Sequence, residues 1–380
     1  MIKIKCDKII TCDGLFDGYV YLDGGKIKDV TTVDLSADET YDVTGSYLSA
    51  GFIDMHTHGA GGYAFMNSTV SDVVAGAEYH LKYGTTTIVP TVSAGTFETM
   101  REAVKNIHLA KIGKQCKANI LGAHLEGPYL SKNQCGAQCP TFITPPKKCD
   151  YVSLIEEYGD SVTRWTYAPE GDVDGSFCKY LTERGVIASI GHTDAKYEDV
   201  LRAVDNGCRL VTHFYSCTST ISRDHGFRSL GVIESAYLID DLYVEIIADG
   251  KHLPIELIKL ILKIKGRDKV ALVTDSLEIA GTDVKSGVMS GTEFIVEDGV
   301  CKLSDRSAFA GSVATANVLV KTMIDCGCSV TEAVNMMTIV PAKLLGLNKG
   351  KIAKGYDADL VVFDEKVNVT DVFVGQNKVF

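Results

Sequence analysis

The sequence predicts an α/β protein: a (β/α)8 barrel of the TIM type with a small β-sandwich domain formed by both termini. Three observations predict it. Between residues 51 and 345 an apolar strand followed by a helix-periodic stretch recurs eight times, the pattern of parallel strands joined by helical crossovers. Polar, ionisable residues follow strand after strand, as expected where one end of a barrel carries the site. Both termini, by contrast, read as strands and turns. The expected division is residues 1–50 plus 346–380 for the β domain and 51–345 for the barrel.

The elements follow in order. Ile2, Ile4 and Cys6 alternate with Lys3 and Lys5, and Gly24-Gly25 separates two β-prone runs, a hairpin signal. A helix is expected over 69–83, with Val70, Val73, Val74, Ala77 and Leu81 on one face and Gly84 as its stop. A second is expected over 194–206, with Val200, Leu201 and Val204 inward and Gly207 beyond it. Ser329 and Glu332 spell a capping box before a helix that Pro341 perturbs or ends. Barrel strands are expected at 52–55, 86–89, 119–123, 164–167, 186–190, 210–212, 244–248 and 270–273. The tail 351–380 returns to turns and short strands that pair with the N-terminal ones.

Composition excludes several partners. The net charge of −11 comes without a long basic run, which argues against nucleic acid or an anionic membrane. No stretch approaches the roughly 18 apolar residues of a membrane span. The N-terminus lacks the apolar core of a signal peptide, so a cytoplasmic protein is expected. The 12 cysteines are scattered without paired CxxC units and read as reduced thiols.

The chemistry gathers at the strand ends. In GFIDMHTHG (51–59), His56 and His58 are two residues apart, so in an extended chain their imidazoles share a face and can meet one ion. Strand three ends in His124 and Glu126, strand four in Glu170, strand five in His192, strand six in His213, strand seven in Asp249 and His252, and strand eight in Asp275. Of nine histidines, six stand at these positions; any one alone would be an ordinary structural histidine, but their convergence points to a metal site.

The order HxH, HLEGP, APE, GHT, TH, DGxH, TD, followed by Ala310-Gly311-Ser312, resembles the N-acetylglucosamine-6-phosphate deacetylases of the amidohydrolase superfamily. The resemblance spans nearly the whole chain, including the GxIxxGxxADLVVFD ending, and HLEGP with GHT is its specific part. It implies that Glu126, His192 and His213 bind the principal divalent metal and that His56 and His58 complete or partly fill a second site. Zinc is the expected ion, with iron or another first-row metal also compatible, one or two per subunit. It implies further that Asp275 is the acid/base, taking a proton from the attacking water and returning it to the departing amine, and that His252 holds the sugar. Asp54, Glu170 and Asp249 are expected to orient ligands or close turns, and Gly311 and Ser312 to form a close-approach turn.

Two departures concern the substrate. Where the family usually has Gly-Ala-His, this chain has Gly136-Ala137-Gln138; Gln can hydrogen-bond but carries no positive charge. Ser216 and Cys217 replace the family's Asn-Ala, with Arg223, or alternatively Arg228, near the expected phosphate-binding arginine. Ala137, Gln138, Ser216, Cys217, Arg223 and His252 are therefore the expected substrate contacts. The reaction expected is deacetylation of N-acetylglucosamine 6-phosphate by a homodimer. The alternatives are the same chemistry on another N-acyl sugar or small amide, and a catalytically silent ligand-binding paralogue, which would normally have lost ligands that are all present here.

Overall fold

A computed structural model describes residues 1–289 and 292–380. Eight parallel strands form the barrel: Phe52–Thr57, Thr85–Ser93, Ala123–Glu126, Val162–Tyr167, Ile187–Ile190, Leu210–Val211, Tyr243–Ile246 and Val270–Leu272. Each pairs with the next, from the first to the eighth. The ring closes just beyond the eighth strand, where Asp275 N donates to His56 O and His58 N to Ser276 O, both at 2.8 Å. These strands are buried on both faces, which is why they read as apolar runs.

The third strand departs from expectation. Asn119–Ile120 pairs with the second strand as anticipated, but the chain then breaks and resumes as Ala123–Glu126. Gly122 causes the break: its φ of +141° is a glycine conformation, and a Cβ there would lie 2.7 Å from Ser161 O. His124 and Glu126 thus lie within a barrel strand, a stiffer mount than a loop after one.

The helices follow the sequence signals closely. Val70–Tyr79 begins at a Thr69–Asp72 capping box, continues as a 3-10 turn over His80–Tyr83 and stops at left-handed Gly84. Tyr197–Asp205 starts slightly later than expected. Ser329 caps Val330–Met337 as expected. A kink at Thr338 then starts a separate helix, Ile339–Leu344, with Pro341 in its first turn, where its missing N–H costs nothing. Among the described residues no helix is long and apolar enough to cross a membrane.

Both chain ends build one eight-stranded sheet, in which Leu360–Phe363 lies beside Tyr47–Ala50 and Ile2–Thr11 beside Gly14–Asp23. The long first strand pairs with Glu39–Asp42 along Ile2–Lys5 and with Tyr47–Ala50 at Lys8 and Ile9, so the sheet folds over a core of its own containing Ile4, Val20, Leu48, Leu360 and Phe373. An element not among those expected follows the eighth barrel strand: the antiparallel strands Ser286–Met289, Thr292–Glu297 and Val300–Leu303. It packs Phe294 and Cys301 on Leu277, Ile279 and Ala310, and so holds residues 308–311 beside the barrel mouth.

Inside the barrel lies a charged pair. Arg164, from the fourth strand, is fully buried, and its guanidinium grips Glu245 of the seventh strand bidentately. Its remaining N–H groups reach Ser189 Oγ at 2.9 Å, Thr212 Oγ1 at 2.8 Å and Met55 O at 3.3 Å, so all five donors are met. Burial opposes the ionisation of Glu245, but Arg164 and His56 outweigh it and hold its carboxyl below the usual range. Removing one partner strands the other charge in the core. R164M should therefore cost about 3–5 kcal/mol in urea unfolding, and R164M/E245L should recover most of that loss; a double variant no more stable than R164M would show that the pair is not the source.

Candidate active site

Five side chains from four barrel strands and their ends converge on Glu126. Its Oε1 lies 3.1 Å from His192 Nε2, 3.0 Å from His213 Nε2 and 3.4 Å from His56 Nε2. Its Oε2 lies 3.1 Å from His58 Nε2. Asp275 Oδ1 is 3.3 Å from both His56 Nε2 and His58 Nε2. The alternation in 56–58 does place both imidazoles on one face, as expected.

The ring orientations decide what these nitrogens can do. His192 Nδ1 faces Gln134 O at 2.8 Å and His213 Nδ1 faces Ser216 O at 3.1 Å. A carbonyl only accepts, so each Nδ1 carries a proton, and in the neutral form of each ring the lone pair sits on Nε2. Those two Nε2 atoms are 3.1 Å apart, both turned on Glu126 Oε1. Two acceptors and a carboxylate facing one point suit a cation, with the carbonyls as the outer partners that fix the tautomer. His56 adds a second sign: Nδ1 and Nε2 are buried, and among the described residues neither has a hydrogen-bond partner. The donors fall into two overlapping groups, His56/His58/Glu126 and Glu126/His192/His213. This set fits a divalent metal of the zinc or iron type.

Charge coupling is strong. Burial works against ionisation of Glu126, and the surrounding His56, His192 and His213 imidazoles overcome it, holding the carboxyl well below the usual range. Burial likewise opposes Asp275, and His56 and His58 bring it down to about 2. In return, burial would lower the histidines, but Asp275 and Glu126 raise His56 to about 10 and His58 to about 9. Without a metal, protons hold the cluster together.

The backbone is bent to aim these groups. His192, His213 and Asp275 all adopt positive φ, at 48°, 26° and 46°, as does Cys217 at 49°. For non-glycine residues such conformations cost of order 1 kcal/mol or more each and cluster at functional sites. Ser312 steadies the last of the strand ends: its N–H donates to Asp275 O at 2.8 Å and its hydroxyl to Thr274 O. The preceding Gly311 has φ +111°, and a Cβ there would meet Leu277 at 2.9 Å, so the expected close-approach turn is present.

Above the cluster opens a cavity of about 310 Å³, lined by Ala137, Gln138, Tyr215, Ser216, Cys217, His252, Phe309 and Gly311 together with His58, Glu126, His192, His213 and Asp275. His252 Nδ1 is 2.8 Å from Asp249 Oδ2, and its ring meets Phe309 edge-on at 4.8 Å. Five of the six expected substrate contacts thus line one cavity. Arg223 does not: it faces Arg228 across the short exposed hairpin of Ser222–Asp224 and Phe227–Ser229, and neither lines the cavity. Glu170 accepts from Thr193 Oγ1 and Asp194 N, tying down the turn that carries His192. His124 is satisfied by Thr91 and Thr166 hydroxyls and packs beneath His56. Sequence reasoning did not find Glu245, whose Oε2 is 3.8 Å from His56 Nδ1, nor Tyr215 and Phe309. A buried acid on an otherwise apolar strand was the one available signal, at Glu245.

The Amidohydrolase family profile matches residues 47–379. The N-acetylglucosamine-6-phosphate deacetylase of Haemophilus influenzae is 33% identical, over 88% of this chain and 87% of its own length. The chain belongs to the N-acetylglucosamine-6-phosphate deacetylase family of the amidohydrolases. The deacetylase of Lysinibacillus sphaericus is 31% identical, over 91% of this chain and 89% of its own. Among solved structures, the deacetylase from Thermotoga maritima superposes with a TM-score of 0.89 at 31% identity, covering 100% of this chain and 99% of its own. A Mycobacterium smegmatis deacetylase mutant in complex with N-acetyl-D-glucosamine-6-phosphate gives 0.92 at 26%, covering 100% and 99%. The chain is accordingly a metal-dependent amidohydrolase.

Asp54 links strands one and eight, accepting from Thr274 Oγ1 at 2.6 Å and from the N–H groups of Thr274 and His56 at 3.3 Å. Burial raises its carboxyl to about 6, against these hydrogen bonds. A raised folded-state acid binds protons that the unfolded chain has already released, so stability falls as pH rises from about 4 to about 6 and is level above. Asn cannot ionise. The stability of metal-free D54N relative to wild type should therefore rise by about 2–3 kcal/mol across that window, read by urea unfolding; a pH-independent difference would contradict the ionisation.

Proposed function

We propose that this chain deacetylates N-acetylglucosamine 6-phosphate to glucosamine 6-phosphate and acetate, the activity named for its relatives. The observation that carries the reading is the convergence of His192 Nε2, His213 Nε2 and Glu126 Oε1 on one point, with Asp275 Oδ1 beside the adjoining His56 and His58, under a single cavity. Glu126, His192 and His213 would hold the principal ion, zinc for preference, and His56 with His58 a second one. A bound ion supplies an acidified water and a polarised acetyl carbonyl.

The protein's own groups do the rest. Asp275, ionised across the working range, accepts the proton of the attacking water and hands it to the amine nitrogen as the C–N bond breaks. His252, fixed through Nδ1 by Asp249, keeps Nε2 for a sugar hydroxyl. Ala137, Ser216 and Cys217 line the space for the rest of the sugar. Arg223 on its exposed hairpin would reach a phosphate at the cavity mouth, its own or that of a partner subunit in a homodimer. Residues 1–50 plus 346–380 and 51–345 serve as the two domains. Twelve unpaired cysteines support a reducing, cytoplasmic setting.

One observation favours a second reading: among the described residues no Lys or Arg lines the cavity. The same machinery would then act on an uncharged N-acyl sugar or a small amide. Acetate release by zinc-loaded protein, compared between N-acetylglucosamine 6-phosphate and the unphosphorylated sugar, separates the two. A strong preference for the phosphorylated sugar is expected, and R223A should raise its KM and leave the other sugar unaffected; equal rates would favour the second reading. D275N should lose about 10³-fold or more in kcat while binding zinc as wild type does. Retained turnover would remove Asp275 from the reaction.

A further inference from the structure

Gln138 holds the carboxylate on which both donor groups depend. Its Nε2 donates to Glu126 Oε2 at 2.8 Å, and its Oε1 accepts from Ala94 N at 2.9 Å. The backbone N–H of Ala94 can only donate, so the amide carbonyl must face it and the NH2 must face Glu126. The orientation therefore follows from the partners. Gln138 is 9% exposed, and its own N–H is tied to Cys135 O at 2.9 Å. The turn that carries it also packs closely against Cys217. Gly136 there has φ +56°, and a Cβ in its place would sit 2.7 Å from Cys217 Sγ.

The consequence is unequal treatment of the two carboxylate oxygens. Oε1 faces His192 and His213, with His56 farther off at 3.4 Å, and takes nothing from Gln138. Oε2, the oxygen nearest His58, spends a lone pair on the Gln138 amide. A hydrogen bond to one oxygen fixes the carboxylate plane and draws charge toward that oxygen's donor, leaving it a poorer ligand. We infer that Gln138 is a positioning residue that orients Glu126 so that the Glu126/His192/His213 site binds its ion tightly and the His56/His58/Glu126 site binds weakly. This rests on the metal-site reading above, and it concerns which site fills first.

Zinc titration of the full chain against a competing chelator, with metal content measured by mass spectrometry, tests it. Wild type should bind in two steps, the first at least about 10-fold tighter than the second. Q138M, of similar length but without the amide, should weaken the first step by about 10–100-fold and narrow the gap. Circular dichroism checks folding, and Q138N, one methylene too short to make both bonds, carries the same expectation if Q138M does not fold. Cobalt(II) substitution adds a readout that simple destabilisation would not move: the visible bands of the first-bound ion should change in Q138M. First-step affinity within about twofold of wild type, with the gap and spectrum unchanged, would overturn the inference. Wild type binding no zinc would instead overturn the metal-site reading.

Discussion

One carboxylate organises this protein. Glu126 is buried, ionised and within 3.4 Å of four imidazoles. A charge in that position is costly unless compensated, so the histidines can be neither lost nor displaced without exposing it to an apolar interior. The barrel supplies what the arrangement needs, since each strand end is a rigid mount and neighbouring mounts are one strand spacing apart. Pairing of Ala123–Glu126 with strands on both sides sets where that charge sits.

Support for it lies in two layers. Below, Arg164 and Glu245 fill the barrel interior with a fully bonded pair, and Glu245 reaches up toward His56. Above, the strained turns at His192, His213 and Asp275 are held by Glu170, by Ser216 O and by Ser312. Strain of this kind persists only where surroundings over-determine it. In His192 and His213 the outer nitrogens are thus already committed to carbonyl oxygens, leaving their inner nitrogens for an ion.

Much of this was legible in the sequence because it depends on local signals. Parallel barrel strands are buried on both faces, so they stand out as apolar runs. The helix ends at Thr69, Gly84 and Ser329 carry their own capping chemistry. The spacing of HxH puts two imidazoles on one face, and the family resemblance carried by HLEGP and GHT is what implied Glu126 and His192 as ligands. What stayed hidden depends on distance along the chain. Arg164 and Glu245 are 81 residues apart and meet only because the barrel closes. Gln138 reads as a substrate contact until folding turns its amide onto Glu126. The hairpin of Thr292–Glu297 and Val300–Leu303 did carry a local signal: Phe294-Ile295-Val296 runs into Asp298-Gly299 and then Val300-Cys301, two β-prone runs around a turn dipeptide. Gly122 could have been read as a break, but only the nearness of Ser161 O makes it one.

Chemistry on this fold rests on where the first ion goes, and anomalous diffraction at the zinc edge from crystals grown at one equivalent of zinc measures that directly. One strong peak is expected among Glu126, His192 and His213, with little density between His56 and His58. A peak held by His56 and His58 without His192 and His213, or zinc bound only away from Glu126, would contradict it.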